Sequence, residues 1–586
     1  MNPLVRTAGA ALAAATALAL LTPTDVTAAP AVGDRTSTAQ ARLVDAVPTP
    51  KLDWWNCTPG AQCATAHLPL DYGKPKGPTT AVALVRVKAR KPKQRIGSLF
   101  INPGGPGGSG IGSALDARDF LSPAVVDRFD IIGVDPRGVN FSEQVRCFAS
   151  AKEQQRATAA AADIIIPTTA KEEKLYITAA QKLGKACSTT GQPLAAQAST
   201  TENARDLDVL RRAVGDKKLN YLGFSYGTAL GQYYANMFPD RVRAMVLDGV
   251  VDASSWYGNP ARPTELDSRL GSGTATYRAL QQVMSRCAKN KNCGLLGWGP
   301  DPLATWKKVA ETVKKKPVTI TTGAGPRAIT YGDFVGDTLG ALFGVTGFET
   351  VMNATYAVMN VIKPLPVPPN SPQAAAERAG ANWLGRSVAR GGDNFPYDNG
   401  AELFAAVTCG DGAHPAKAEQ WPALMKTAAK KAPYFGPAWG WQNAPCATST
   451  WTKHDQRRFG GPFNHTLGTP VLFVGNYWDP ATSYTEAISA AKAMPGSYLI
   501  TSDSWGHTAY GTSACTTGGV DQYLLTLRKP AKATCVGDIQ PTFPDGTETI
   551  VGGRTERAGI ATTLSPATQP TKLPPVVLPW FLANRH

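Results

Sequence analysis

The sequence predicts an α/β fold with a mostly parallel central sheet and a large, mainly helical cap inserted before the last strands. Short apolar runs alternate with helical patterns in the first half, which is typical of parallel sheets covered on both faces. The alternation stops after about residue 251 and resumes at residue 469, so one α/β domain is interrupted by the cap. The predicted core strands are 81–87, 98–101, 129–134, 220–222, 244–247, 470–474 and 497–500.

Three helices of the core are also predicted. The segment 201–214 is predicted to be an amphipathic helix, because its apolar residues recur on or near one face: Ala204, Leu207, Val209, Leu210 and Val214. A second helix is expected from residue 225 to about 238 and a third over 482–494. The block between residues 252 and 468 is instead rich in helical and irregular patterns, with frequent Gly and Pro.

The N-terminus has the pattern of a secretory signal. Arg6 precedes an apolar run over 8–21, and small residues follow at 26–29. The run is short for a membrane span, so we predict secretion without stable membrane insertion; an uncleaved anchor is the alternative. The predicted units are a signal peptide 1–29, a linker or pro-segment 30–51, the N-terminal part of the core 52–253, the cap 254–466, the C-terminal part of the core 467–543 and a tail 544–586.

Charge and cysteine content narrow the function classes. The chain has 60 Lys and Arg against 44 Asp and Glu, a net charge of +16, but the basic residues are scattered and predict no nucleic-acid partner. The ten cysteines fit none of the usual zinc spacings, so no metal or other cofactor is predicted. An even cysteine count in an exported chain favours disulfides, and the simplest connectivity pairs neighbours in order, although the sequence alone does not fix it.

The segment Gly223-Phe224-Ser225-Tyr226-Gly227 matches the G-x-S-x-G nucleophile elbow. Glycine two residues before and after the serine allows a sharp turn from strand to helix. The serine hydroxyl then lies at a helix N-terminus, where the helix dipole favours developing negative charge. An apolar run before the motif and a helical pattern after it support Ser225 as a nucleophile.

A serine nucleophile requires a base, and only six histidines are available. His507 follows the predicted strand 497–500, in the position of a last catalytic loop, and we predict it as the general base. Asp479 follows the strand 470–474, which gives the chain order Ser, Asp, His of this fold and predicts that it orients the imidazole. Asp248 and Asp252, after an earlier strand, remain the alternative acids.

The glycine-rich segment 102–110 follows a predicted strand and predicts an oxyanion hole. Glycines let backbone N–H groups approach the negatively charged oxygen of a tetrahedral intermediate. The expected donors are the N–H of Gly105, or of Gly104, and that of Tyr226, the residue after the nucleophile. No phosphate-binding G-x-x-x-x-G-K-[ST] pattern occurs in the chain.

Together these motifs resemble the secreted bacterial tripeptidyl aminopeptidases, which group with the prolyl aminopeptidases among α/β-hydrolase serine peptidases. The resemblance covers roughly residues 54–541. Prolyl aminopeptidases usually carry His where this chain has Pro103, which favours the tripeptidyl branch. The motifs that carry it are Pro103-Gly104-Gly105-Pro106-Gly107, Asp135-Pro136-Arg137-Gly138, Gly223-Phe224-Ser225-Tyr226-Gly227, Asp479-Pro480 and Gly506-His507.

The resemblance implies release of short peptides, tripeptides in this branch, from the free N-termini of peptides or proteins. A positively charged α-amine requires acidic groups in the pocket, and Glu402 and Asp411 are the candidates, with solvated surface carboxylates as the alternative. A carboxylesterase or lipase-like enzyme with the same triad is the competing function. An inactive binding protein on this fold is a third hypothesis, and a monomer is expected.

Overall fold

The computed structural model describes residues 33–386 and 397–540, together with 550–551, 554–555, 572–575, 577–578 and 582. The predicted signal peptide at 1–29 lies outside these ranges, as does most of the predicted tail. The strands are β1 Trp55–Thr58, β2 Ala61–Pro69, β3 Thr79–Val87, β4 Gly97–Asn102, β5 Phe129–Val134, β6 Leu219–Phe224, β7 Val242–Asp248, β8 Val318–Thr322, β9 Gly325–Ile329, β10 Leu472–Trp478, β11 Tyr498–Trp505, β12 Thr534–Val536, β13 Ile550–Val551 and β14 Arg554–Thr555.

One sheet of ten strands forms the centre of the described chain, in the order β1-β2-β3-β5-β4-β6-β7-β10-β11-β12. The pairs β1/β2, β2/β3 and β3/β5 are antiparallel. All pairs from β5/β4 to β11/β12 are parallel. The prediction of a mostly parallel sheet of the α/β-hydrolase type is therefore confirmed, and the carboxyl ends of the parallel strands meet at one edge.

Helices connect the parallel strands and also build the cap between β7 and β10. In chain order they are α1 Thr38–Asp45, α2 Gly110–Leu115, α3 Ala117–Phe120, α4 Pro123–Arg128, α5 Ala151–Thr158, α6 Ala170–Cys187, α7 Thr200–Ala213, α8 Tyr226–Met237, α9 Ala253–Tyr257, α10 Leu266–Leu270, α11 Ser272–Ala288, α12 Pro302–Lys315, α13 Tyr331–Leu342, α14 Gly347–Ile362, α15 Pro372–Leu384, α16 Gly400–Asp411, α17 Trp421–Lys431, α18 Phe435–Gly440, α19 Tyr484–Ala493 and α20 Ala514–Thr526.

The alternation of side chains along the strands buries both faces of the sheet. In β6, Tyr221 packs with α7, α8 and α19 on one face, and the next residue, Leu222, packs with α2, α4 and α20 on the other. A third apolar cluster lies in the cap and contains buried Trp306 and Trp421. Removing this apolar surface from water stabilises the fold, at about 25 cal/mol per Å².

Two segments differ from the sequence prediction. The predicted linker or pro-segment contains α1, where the Ser37 side chain accepts a bond from Gln40 N–H and Val44 is buried in the core. The cap also receives a second contribution from the connection between β5 and β6. There, Ile166 and Ala180 join the apolar cluster of the cap, and Tyr176 lies 5.2 Å from Trp441 between ring centroids.

The five disulfides join the ten cysteines in sequence order: Cys57–Cys63, Cys147–Cys187, Cys287–Cys293, Cys409–Cys446 and Cys515–Cys535. This is the connectivity that neighbour pairing predicts. Among the residues that the structure describes, no helix combines the length and apolar character needed to cross a bilayer.

Candidate active site

Ser225 lies in a strained turn between β6 and α8. Its φ of 55° and ψ of −128° place a non-glycine residue in a conformation that side chains disfavour. The turn is so tight that a Cβ added to Gly223 would lie only 2.5 Å from the carbonyl oxygen of Gly227. The Ser225 N–H donates to the carbonyl oxygen of Asp248, which ties the turn to the end of β7. The sequence therefore forms the predicted elbow.

Asp479 follows β10 and is fully surrounded by donors. The Ala481 and Thr482 N–H groups donate to Oδ1, and the Thr482 hydroxyl and Thr508 N–H donate to Oδ2. His507 Nδ1 lies 2.9 Å from both oxygens. Burial would raise the pKa of Asp479, but the charge of His507 and these hydrogen bonds lower it below its usual value. The carboxylate therefore stays ionised beside the imidazole.

The other imidazole nitrogen of His507 is available for chemistry. Nε2 is buried and has no hydrogen-bond partner among the described residues. The ring packs edge-on against Phe343, with 5.1 Å between centroids. A Cβ added to Gly249 would lie 3.3 Å from His507 Cε1, so the imidazole sits against the same end of β7 that holds the Ser225 N–H. The structure thus brings His507, Asp479 and the elbow to one edge of the sheet.

The two alternative acids have other contacts. Asp248 accepts the N–H groups of Ala509 and Tyr510, and so fixes the loop that follows His507. Burial raises the pKa of Asp248 to about 7, against the effect of those two bonds. Asp252 caps α9 by accepting the Ser254 N–H at 2.8 Å. The imidazole Nδ1 bonds to Asp479 rather than to either of them.

The predicted oxyanion loop lies directly against the elbow. A Cβ added to Gly104 would lie 2.8 Å from Ser225 Cβ and 3.0 Å from Tyr226 N, so only glycine permits this approach. The Gly104 N–H already donates to Asn102 Oδ1. This engagement favours Gly105, which lines the cavity beside Ser225, as the donor that pairs with the Tyr226 N–H.

A cavity opens over Ser225 between the core and the cap, with an empty volume of about 580 Å³ that includes space open to solvent. Its walls are mostly apolar and aromatic, and a few polar side chains interrupt them. The residues that line it are Gly105, Ser225, Tyr226, Val251, Trp256, Leu266, Asp267, Leu270, Ser272, Phe343, Phe404, Trp439, Gln442, Asn443, Ala481, Thr482 and Val577.

Neither of the acids expected to bind an amine lines this cavity. Glu402 accepts the Cys147 N–H, the Gln154 side-chain N–H and the Tyr397 hydroxyl. Asp411 accepts bonds from the Thr200 N–H and the Trp256 indole. Both lie on α16, whose residues are buried on almost all sides, so each carboxyl is held by neighbouring groups of the protein.

Asp267, an acid that the sequence analysis did not select, does line the cavity. It accepts the Gly273 N–H at 3.0 Å and lies close to Glu265, whose carboxylate accepts the Asp267 and Ser268 N–H groups. Burial and the charge of Glu265 raise the pKa of Asp267 well above its usual value. In the sequence, this residue belongs to Thr264-Glu265-Leu266-Asp267, which resembles an ordinary helix start. The signal that could have identified Asp267 is its position where the chain enters the cap.

Two family models match the chain, and each covers one part of the core together with the adjoining end of the cap. Residues 97–279 match the family described as alpha/beta hydrolase fold, and residues 432–535 match the family described as TAP-like protein. The first match contains the oxyanion loop and Ser225, and the second contains Asp479 and His507. The fold and the site thus define the protein as an α/β hydrolase with a serine elbow.

Curated relatives narrow this class. The chain is 30% identical over 516 residues to tripeptidyl aminopeptidase of Streptomyces lividans, covering 84% of this chain and 87% of that protein. It is 30% identical over 488 residues to serine protease Hip1 of Mycobacterium tuberculosis, covering 81% and 87%. It is also 28% identical over 480 residues to Carboxylesterase B of the same organism, covering 79% and 84%. The chain therefore belongs to the tripeptidyl aminopeptidase family.

Proposed function

We propose that this chain is a secreted serine exopeptidase that releases short peptides, tripeptides as the name of its relatives suggests, from free N-termini. Its membership of the family supports peptide-bond hydrolysis. The five disulfides and the signal-like N-terminus support an extracellular location.

In the proposed reaction, the Ser225 hydroxyl attacks the carbonyl carbon of the scissile bond while His507 Nε2 takes its proton. The N–H groups of Gly105 and Tyr226 stabilise the oxyanion of the tetrahedral intermediate. His507 then gives the proton to the departing amine, the C–N bond breaks, and an acyl ester on Ser225 remains. Water attacks this ester with the same base, which releases the short peptide and restores the serine.

Asp479 has two roles in this scheme. Its carboxylate holds Nδ1 protonated, so that Nε2 presents a lone pair to the Ser225 hydroxyl. Its charge also stabilises the imidazolium that forms in each step. The four protein donors around the carboxylate support these roles, because they keep Asp479 ionised and fixed in a buried position.

The observation that carries the preference for a free N-terminus is Asp267. It is a buried carboxyl on the cavity that contains Ser225, beside a second buried carboxyl, Glu265. Within the described ranges, Asp267 forms no ion pair with Lys or Arg. Without a compensating cation, burial favours the protonated form of a carboxyl group, in line with the raised pKa of Asp267. The α-ammonium of a peptide supplies that cation and would be held at a set distance from Ser225.

The test compares a tripeptide anilide with a free N-terminus, the same anilide acetylated, and a short acyl ester. We expect the free tripeptide to have the highest kcat/KM and acetylation to lower it by about 10- to 100-fold, because a charge-assisted bond is lost. Equal cleavage of the acetylated substrate would contradict the exopeptidase. If the ester is hydrolysed and neither anilide is, the result would favour a carboxylesterase function, which the name of one relative suggests.

A second measurement tests the length of the released product. Mass analysis of an unblocked peptide over time should show fragments that appear in three-residue steps from the N-terminus. Internal fragments at early times would contradict exo-cleavage, and steps of one or two residues would correct the length.

A further inference from the structure

The C-terminal end of the chain reaches the cavity over Ser225. We use the name C-terminal strap for the described residues 572–575, 577–578 and 582. These residues belong to the predicted tail 544–586 and lie beyond both family-model matches, the last of which ends at residue 535. Neither the triad nor the oxyanion loop accounts for their position.

The strap starts on the core. The Lys572 N–H donates to the Asp119 carbonyl oxygen at 2.9 Å, and Lys572 Nζ lies 2.6 Å from the Asp119 carboxylate. The next residues pass over the loop that carries His507. A Cβ added to Gly511, which has φ +84°, would lie 3.3 Å from both Leu573 Cδ2 and Pro574 Cδ. The Pro574 side chain is buried in this contact.

The strap then crosses the oxyanion loop and enters the cavity wall. A Cβ added to Gly108 would lie 2.7 Å from Val577 Cγ2, so the valine is pressed against the loop backbone. Val577 lines the same cavity as Ser225 and Gly105. Its side chain is half-buried, and the part that faces the cavity is apolar.

Beyond Val577 the strap is anchored in the cap. Leu578 packs against the apolar cluster of the cap, and Leu582 belongs to that cluster with only 2% of its surface exposed. The described residues of the strap thus contact the core, the loop after His507, the oxyanion loop and the cap. It bridges the two sides of the cavity and leaves one apolar side chain, Val577, in its wall.

We propose that Val577 is a specificity-determining residue, which limits the size of the apolar substrate group that packs beside the oxyanion loop, and that the strap holds it there. The inference rests on the proposed role of Ser225 as nucleophile but does not require a peptide substrate. A branched side chain fixed at both ends of its segment forms a rigid wall, and a change of one or two methyl groups alters which groups fit.

The test uses fluorophosphonates with a small and a large alkyl group, which label an activated serine and report only on the space around it. In the full-length protein, Val577→Ala should raise the ratio of labelling rates, large over small, by roughly tenfold, and Val577→Phe should lower it by a similar factor. Val318→Ala is the matched control, because Val318 is a partly buried valine on the cap cluster that belongs to neither the strap nor the cavity wall, and its ratio should stay at the wild-type value.

A third variant tests the anchor. Leu582→Asp places a charge in the apolar cluster of the cap, so the strap should leave its position and the ratio should rise as in Val577→Ala. Thermal unfolding of each variant shows that the domain is folded. An unchanged ratio in both Val577 variants would overturn the assignment, and an unchanged ratio in Leu582→Asp would overturn the anchoring role.

The outcomes separate this inference from the proposed function. If the ratio of labelling rates changes but no peptide is cleaved, the role of Val577 is supported and the exopeptidase function is rejected. If peptides are cleaved from free N-termini but the ratio is constant, the exopeptidase stands and the strap is rejected. Failure of the wild type to be labelled at Ser225 would overturn both.

Discussion

The two sides of the cavity are built in different ways. On the core side, Ser225, Asp479, His507 and the oxyanion loop all follow parallel strands and meet at one edge of the sheet, with Asp479 held by four protein donors. On the cap side, the polar groups are less completely paired. Gln442 Oε1 and both polar atoms of the Asn443 side chain are buried without partners among the described residues.

This difference indicates a division of labour. Preorganised groups accelerate chemistry because they need no rearrangement in the transition state. Buried polar groups without partners are costly, and a bound substrate that pairs with them recovers that cost. The core side should therefore control the rate of the chemical step, and the cap side should control which substrates bind.

Removal of the nucleophile should give the largest effect on the core side. Ser225→Ala is expected to lower kcat on a free tripeptide anilide on the order of a millionfold, because the acyl-enzyme can no longer form. Labelling by a fluorophosphonate should disappear as well, while the thermal unfolding midpoint shows an intact fold. Residual activity within a hundredfold of the wild type would place the nucleophile elsewhere.

The next largest effect should distinguish Asp479 from Asp248, the alternative acid at the end of β7. Asp479→Asn is expected to lower kcat by about 10⁴-fold, because an amide cannot hold the imidazole in the required tautomer. Asp248→Asn is the matched control, since Asp248 contacts the loop after His507 and not the imidazole nitrogen. If kcat falls further in Asp248→Asn than in Asp479→Asn, the acid that orients the imidazole is Asp248, at the end of β7.

The cap side should respond in selectivity rather than in intrinsic reactivity. Asp267→Asn is expected to reduce the preference for free over acetylated tripeptide anilide by about 10- to 100-fold, because the amide cannot pair with the ammonium. Its labelling by a small fluorophosphonate should stay near the wild-type rate. Glu402→Gln is the control, and an equal loss of preference in that variant would move the amine site to α16.

The smallest effect concerns the pH dependence of stability. The pKa of Asp248 is raised to about 7 in the folded protein, so its carboxyl keeps a proton that the unfolded chain releases near pH 4. The folded state then binds more protons, and this group's contribution to the free energy of unfolding falls as pH rises from 4 to 7, by at most about 1.4 kcal/mol per pH unit. Denaturation at pH 5 and pH 7.5 should show a weaker pH dependence in Asp248→Asn than in the wild type; an identical dependence would contradict the assignment.

The same contrast explains what the sequence could predict. Short motifs at strand ends have fixed physical requirements, such as glycine at Gly104 and Gly223, where a Cβ would collide with neighbouring backbone. The structure places the oxyanion loop, Ser225, Asp479 and His507 where the strand order predicts. It does so because parallel strands bring their carboxyl ends together, whatever the length of the insertion between β7 and β10.

The cap lacks such rules. Glu402 and Asp411 are acids in an apolar context, which in a helix buried on almost all sides leads to internal hydrogen bonds rather than to a binding site. Asp267 reaches the cavity through the packing of α10 against the core, which no local pattern encodes. Helix α1 and the C-terminal strap were missed for a similar reason, since their positions depend on tertiary contacts with distant residues.

The backbone of Ser225 has a further consequence. Its φ of 55° is one that glycine adopts freely and serine resists, at a cost of about 1–3 kcal/mol in the folded state. The proposed nucleophile should therefore also lower the stability of the folded state. Ser225→Gly, which removes the proposed nucleophile, should therefore have a higher thermal unfolding midpoint than the wild type. Thermal stability and catalytic activity then place opposite demands on this one residue.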